Sequence, residues 1–266
     1  MKVSDLAIDV SHLVTHYGSR KILDDISFQA RQGEIMVIMG GSGSGKCTLL
    51  RHLLGLNHPT SGSIKLLGKD ITKLSADEMF DLRKNMGVAF QGGALFNSMT
   101  VGENIELPLR EHTKLDENTI RIMSRMKLEV VNLAGFEDLM PAELSGGMIK
   151  RAALARAIVM DPRLLFFDEP SAGLDPVVSA ELDELILTLR DAMNMTIVVV
   201  THELESAFKI ADRITVLDQG RILMSDTVAA VRASDNQRIR SLLDRTPRNE
   251  AMDPDEYMER LTREIF

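Results

Sequence analysis

The sequence has one cysteine, Cys47, no tryptophan and two tyrosines among 266 residues. A single thiol has no partner for an internal disulfide, so the fold must rest on its core, which suits a reducing compartment. No apolar run approaches the roughly 20 residues that cross a bilayer. The start, MKVSDLAIDV, carries acidic residues where a signal peptide would carry a long apolar core. Any service to a membrane is therefore expected from the cytoplasmic side, through a partner. An excess of basic charge is also missing: Lys and Arg number 31 against 39 Asp and Glu, a net charge of −8. That balance argues against non-specific nucleic-acid binding. Internal repeats and low-complexity segments are absent. With 44% hydrophobic and 26% charged residues, the composition fits a globular protein of one large α/β domain or two modest ones.

The most informative stretch is Met36 to Leu50, MVIMGGSGSGKCTLL. The apolar run Ile35 to Met39 suits a strand buried on both faces, and the residues after Lys46 suit a helix. Between them, Gly40, Gly43 and Gly45 permit backbone conformations in which successive N–H groups point inward around an anion. The helix N-terminus adds partial positive charge and Lys46 a full one. Gly40, Gly41, Ser42, Gly43, Ser44, Gly45 and Lys46 have the GxxxxGK spacing of a phosphate-binding loop. A chance glycine-rich turn is the plain alternative, and the flanking strand and helix speak against it. The pattern asks for a serine or threonine hydroxyl on magnesium after the lysine. Here Cys47 stands at that position, followed by Thr48.

Short strands are expected over VSDLAIDV, KILDDISFQA and EIMVIM, with a turn at residues 31–33 and Tyr17 in the first connection. Alone, Tyr17 is as well explained by packing as by function. A helix from about Thr48 to Leu56, a strand at SIKLLG and a helix from Ser75 to Lys84 with a Ser75/Glu78 capping box follow. The strand MGVAFQ ends at Gln91. From Val101 to Met160 the spacing turns helical, with breaks expected at Pro108, Gly135, Pro141 and Asp161-Pro162, as in an inserted helical subdomain of about residues 92–160. RLLFFDEP then reads as a buried strand delivering Asp168 and Glu169 at its end, where the charges need a metal and a substrate as partners. Asp175-Pro176 caps a helix with a Leu182, Leu185, Ile186, Leu189 and Met193 stripe. MTIVVVTHE is a second buried strand ending in His202, and ADRITVLDQGRIL a hairpin turning at Gln219-Gly220. Beyond about Ser225 the chain is charged and helical. A last helix starts at Asp253-Pro254 and shows a Tyr257, Met258, Leu261 and Ile265 face, either packed on its own domain or clasping a neighbour. Because open α/β sheets bind ligands beyond the C-terminal ends of their strands, the glycine loop, Gln91, Asp168, Glu169 and His202 are expected on one rim.

LSGGM at Leu144 to Met148 resembles the signature of ATP-binding-cassette ATPases, usually LSGGQ. The order Tyr17, GGSGSGKCT, Gln91, LSGGM, LLFFDE, SAGLD and His202 resembles that family from residue 3 to about 225. The resemblance implies an α/β fold: a RecA-like parallel-sheet core, an N-terminal antiparallel β subdomain and the inserted helical subdomain. Residues 1–225 would form the ATPase domain and 226–266 a helical extension. It also implies roles. Tyr17 stacks on adenine, Gly40 to Thr48 cradle the phosphates of ATP, and Lys46 bridges the β- and γ-phosphates. Asp168 holds Mg²⁺ with Gln91 and the residue at Cys47. Glu169 is the general base, and His202 braces the γ-phosphate. Ser145, Gly146 and Gly147 complete the site of a second copy of the chain, with Asp175 at the same interface. Two departures stand out. Met148 follows the phosphate-contacting glycines and is expected to leave hydrolysis intact, whereas a thiol at Cys47 is a poor magnesium ligand.

Three details resemble one branch, the ATPases paired with MCE-type lipid-binding proteins in Mla-type phospholipid transporters. They are FQGGALFNSMTVGENIELPLREHTKL, Met148, and SDNQRIRSLL at Ser234 to Leu243. That likeness implies a homodimer on transmembrane permease subunits at the cytoplasmic face of a bacterial inner membrane. An MCE-domain protein and a small accessory subunit would complete a machine moving phospholipid between inner and outer membranes to maintain lipid asymmetry. The rivals are a small-solute importer, which shares every catalytic motif, and a non-hydrolysing nucleotide sensor, which only Cys47 favours.

Overall fold

The computed structural model describes residues 6–246. The tail helix expected from Asp253 lies outside them. Residues up to Ala233 form one compact unit and those from Ser234 a second. In order, the first unit runs β1 (Leu6–Tyr17), β2 (Arg20–Arg31), β3 (Ile35–Met39), α1 (Lys46–Leu53), β4 (Ser61–Leu66), β5 (Lys69–Asp70), α2 (Ala76–Arg83) and β6 (Met86–Ala89). It continues with α3 (Val101–His112), α4 (Glu117–Val130), α5 (Gly146–Ile158), β7 (Leu164–Asp168), α6 (Pro176–Met193) and β8 (Thr196–Thr201). It closes with α7 (Leu204–Ile210), β9 (Arg213–Asp218), β10 (Arg221–Thr227) and α8 (Val228–Arg232). The second unit contributes α9 (Gln237–Leu243), whose Asn236 side chain caps its first turn. No helix among the described residues is long and apolar enough to cross a membrane.

Two sheets organise the first unit. The larger has the order β10-β9-β3-β8-β7-β6. Its β6, β7, β8, β3 and β9 are parallel, and β10 is an antiparallel edge. Ile35 to Met39 and Leu164 to Phe167 are wholly buried, as befits strands covered on both faces. The smaller sheet, β2-β1-β4-β5, is antiparallel. It meets the larger one where the Asp24 N–H donates to Gly220 O at 2.8 Å and Arg221 pairs with Asp24.

Several expectations need correcting, among them the strand ending at Gln91: β6 stops at Ala89, and Gln91 lies in the turn beyond it. β1 runs on to Tyr17, which therefore ends a strand instead of lying in a connection. The alternation falters at His12, a positive-φ residue (51°) inside a register shift, and the strand resumes beyond it. Pro108 does not break its helix: α3 passes through it. Burying Val101, Ile105 and Leu109 at about 1.5–3 kcal/mol each outweighs the ~3 kcal/mol of an interior proline. The helix after the glycine loop begins at Lys46 and ends at Leu53, because Gly45 serves as its N-cap. Finally, α7 is a helix where none is expected: Leu204, Ala207 and Ile210 give two turns of spacing, too short a signal beside the strand before it.

Candidate functional site

β3 ends at Met39 and the chain turns sharply through the glycines. A Cβ on Gly40 would lie 2.1 Å from Leu217 O, so the loop can rest against β9 only without a side chain. Gly45 takes φ 104°, closed to L residues, and caps α1 with no side-chain acceptor. The first-turn N–H groups of α1 thus have no side-chain competitor for an anion. The Gly220 N–H donates to Ser44 O at 3.0 Å, tying the loop to the β9–β10 turn. Lys46, only 8% exposed, donates from Nζ to Gly40 O at 2.8 Å and Gly41 O at 3.1 Å, so the ammonium lies across the loop.

The carboxylates arrive on β7, between β6 and β8. Asp168 ends the strand, and its Oδ1 is buried without a hydrogen-bond partner. Burial, and next the neighbouring Glu169 charge, push its pKa up, while Arg51 and Lys46 pull it down. A buried, unpaired oxygen beside a lysine suits a cation ligand. Glu169 sits at φ 49°, a left-handed conformation that costs a non-glycine residue about 1–3 kcal/mol and that clusters at functional sites. Its N–H donates to Val200 O at 2.8 Å, which ties the strained turn to β8. The buried Glu169 carboxylate accepts from the His202 N–H at 3.3 Å and lies 2.8 Å from His202 Nδ1. The structure therefore joins the ends of β7 and β8 through Glu169 and His202.

Cys47, in the first turn of α1, reaches the surface. Desolvation, and next the Asp168 charge, raise its pKa, which leaves a neutral thiol. Thr48 follows it in α1, and Gln91 is exposed in the turn two residues beyond β6. No group of three or more His, Cys, Asp or Glu gathers as a metal cage among the described residues. Magnesium does not need one, since it keeps waters and substrate oxygens. Asp168 Oδ1, the Thr48 hydroxyl and the Gln91 amide are suitable hard donors; the Cys47 sulfur is the misfit.

Tyr17, 47% exposed at the end of β1, accepts a hydrogen bond at its hydroxyl from Asn57 Nδ2 at 3.0 Å. Ser145, Gly146 and Gly147 open α5, where Ser145 Oγ accepts from the Met148 N–H at 3.3 Å. Among the described residues no hydrogen bond or ion pair joins them to the glycine loop. Asp175 caps α6, accepting from the Val177 and Val178 N–H groups at 3.0 and 3.1 Å.

Sequence reasoning missed two cations of α5. Lys150 donates to the carbonyls of Pro170 and Ala172 at 2.6 and 2.5 Å and reaches Glu169 O at 3.5 Å. Arg156 donates to Gly93 O at 2.9 Å and Ala94 O at 2.8 Å, just past Gln91. The signal was available: GGMIKRAALARAI sets basic residues into a helix otherwise rich in small apolar ones, and a cation there needs carbonyls.

Residues 23–172 match the family model described as ABC transporter. The chain belongs to the ABC transporter family. It is 44% identical over 232 residues to the Intermembrane phospholipid transport system ATP-binding protein MlaF of Haemophilus influenzae, covering 87% of this chain and 88% of that one. It is 42% identical over 238 residues to the Probable ribonucleotide transport ATP-binding protein mkl of Mycobacterium leprae, covering 90% and 69%. Among solved structures it resembles a dimeric post-hydrolysis ATP-binding cassette bound to ADP and Pi, with a TM-score of 0.77 and 28% identity over 83% of this chain and 98% of that one. The cbiO1 subunit of a Clostridium perfringens ABC transporter complex matches with a TM-score of 0.80 and 30% identity over 92% and 97%. As an ABC ATPase the chain binds nucleotide and hydrolyses ATP, and the non-hydrolysing sensor reading falls.

Proposed function

We propose that this chain is the ATPase of a transporter that moves phospholipid between the inner and outer membranes and maintains outer-membrane lipid asymmetry. The observation that carries this reading is the 44% identity to MlaF of H. influenzae, which extends over 88% of that protein. Two copies would work as a pair, as in the dimeric cassette with ADP and Pi. The pair would sit on permease subunits at the cytoplasmic face of the inner membrane, with an MCE-domain protein and a small accessory subunit.

In this reading the loop N–H groups and Lys46 hold the phosphates, and Tyr17 stacks on adenine. Asp168, Gln91 and Cys47 would hold Mg²⁺, the thiol weakly, with the Thr48 hydroxyl or water compensating. When bound, the metal neutralises charge on the phosphate oxygens. Glu169 orients a water and accepts its proton, held in place by His202, which also braces the γ-phosphate. The water oxygen bonds to the γ-phosphorus as the bond to the β–γ bridging oxygen breaks, and ADP departs with that electron pair. Positioning and charge stabilisation do most of this work, so a site split between subunits makes hydrolysis conditional on closure. Ser145, Gly146 and Gly147 supply the second half from the other copy, and Asp175 lies at that junction.

The likeness to mkl supports a second reading, ribonucleotide transport. Purifying the complex from native membranes, identifying its subunits and extracting its lipids separates the two. Phospholipid with an MCE-domain partner, and ATPase activity stimulated by phospholipid, supports the first reading. A complex free of both, stimulated by ribonucleotide, overturns it.

A further inference from the structure

The turn from Glu169 to Ala172 holds the strained φ of Glu169 but little that would fix it from within. Its internal bond, from the Ala172 N–H to Glu169 O, is long at 3.3 Å, and the buried Ser171 hydroxyl has no partner. What grips the turn comes from elsewhere. The Lys150 ammonium, with three donors, faces Glu169 O, Pro170 O and Ala172 O at 3.5, 2.6 and 2.5 Å. These acceptors are main-chain atoms, so the contact fixes the backbone that aims Glu169. Lys150 lies in α5, about one turn beyond Ser145, Gly146 and Gly147.

We propose that Lys150 is a positioning residue for hydrolysis: it clamps the Glu169 turn to α5 and so sets the aim of the carboxylate. This rests on Glu169 being the general base. Burial lowers the Lys150 pKa, and the nearby Glu169 charge partly opposes that. Because the N-terminus of α5 is the half offered to the other subunit, movement of α5 on closure would be passed by Lys150 to this chain's own Glu169.

The test compares Lys150→Met, Lys150→Arg and Glu169→Gln in the full-length chain with the membrane subunits that accompany it. Nucleotide affinity, KM, kcat and Tm are measured for each. We expect Lys150→Met to lower kcat about 10–100-fold, as a misplacement near 1 Å does, while affinity and KM stay within about twofold. Lys150→Arg, which keeps charged donors, should recover most of the rate. If Lys150→Met does not fold, Lys150→Gln, a neutral donor, is judged by the same split. Retained kcat in Lys150→Met, or loss of affinity, rate and Tm together in every Lys150 variant including Arg, overturns the proposal. Glu169→Gln separates the premises: continued hydrolysis there overturns the general-base reading, whereas its loss beside an active Lys150→Met overturns only the role of Lys150.

Discussion

Two glycine-bearing helix starts contain the expected halves of the nucleotide site, and they are built in opposite ways. The loop before α1 is packed at its base and open at Ser42 and Gly43. A Cβ on Gly40 would strike Leu217 O, Ser44 is buried and bonded through its carbonyl to Gly220, and Lys46 lies across the loop carbonyls. The start of α5 is open at Ser145 and Gly146, while a Cβ on Gly147 would lie 2.9 Å from Val178 Cγ1. A Cβ on Gly146 would meet nothing within 4 Å, Ser145 is exposed, and its hydroxyl makes a single cap bond. The first is a preorganised cradle that needs only a ligand. The second leaves Ser145 and Gly146 facing solvent. An exposed helix N-terminus of this kind can accept an anion, and in the proposed pair a second copy would bring it.

The contrast breaks most visibly by substitution in the packed half. Gly40→Ala should cost about 1–3 kcal/mol by overpacking and abolish nucleotide binding, seen as a lower Tm and a lost ATP isotherm. Full binding with unchanged Tm would show that the loop is not held by β9. Cys47→Ser should change the chemistry of the same half without disturbing its packing. A hard hydroxyl in place of the neutral thiol should lower the magnesium concentration that half-saturates hydrolysis by severalfold. Superimposable magnesium curves would remove the thiol as the weak ligand. The smallest effect on the fold belongs to the open half. Gly146→Ala should leave Tm unchanged or raise it, since alanine is favoured in helices by up to about 1 kcal/mol. Binding of ATP to one chain should be intact while hydrolysis by the pair falls. Loss of stability at Gly146 would mean that this surface is packed after all.

How much of this was legible in the sequence follows from the length of each signal. Ile35–Met39 and Leu164–Phe167 are continuous apolar runs ending in glycine or carboxylate, and they announced both the central strands and the residues they deliver. The turn at Gln219-Gly220 was readable from its residues. β1 was truncated because a bulge at His12 hides the alternation that resumes at Leu13. Pro108 misled because its local cost is offset by burial contributed from distant elements. The contact between Glu169 and His202 depends on β7 and β8 being neighbours, a fact of sheet order that spacing along the chain cannot carry. Lys150 is the clearest instance. Its type and position were in plain view, but its three carbonyl partners come from a turn some twenty residues on, and main-chain acceptors have no sequence signature.

The central claim is that the cradle of one chain is completed by the α5 N-terminus of another. It is tested most directly by mixing two inactive chains, one carrying Lys46→Ala and the other Ser145→Arg, and assaying ATP hydrolysis after subunit exchange. In a mixed pair the intact loop of the Ser145→Arg chain faces the intact Ser145, Gly146 and Gly147 of the Lys46→Ala chain. The account therefore predicts activity well above that of either variant alone. A mixture no more active than its parents would contradict it.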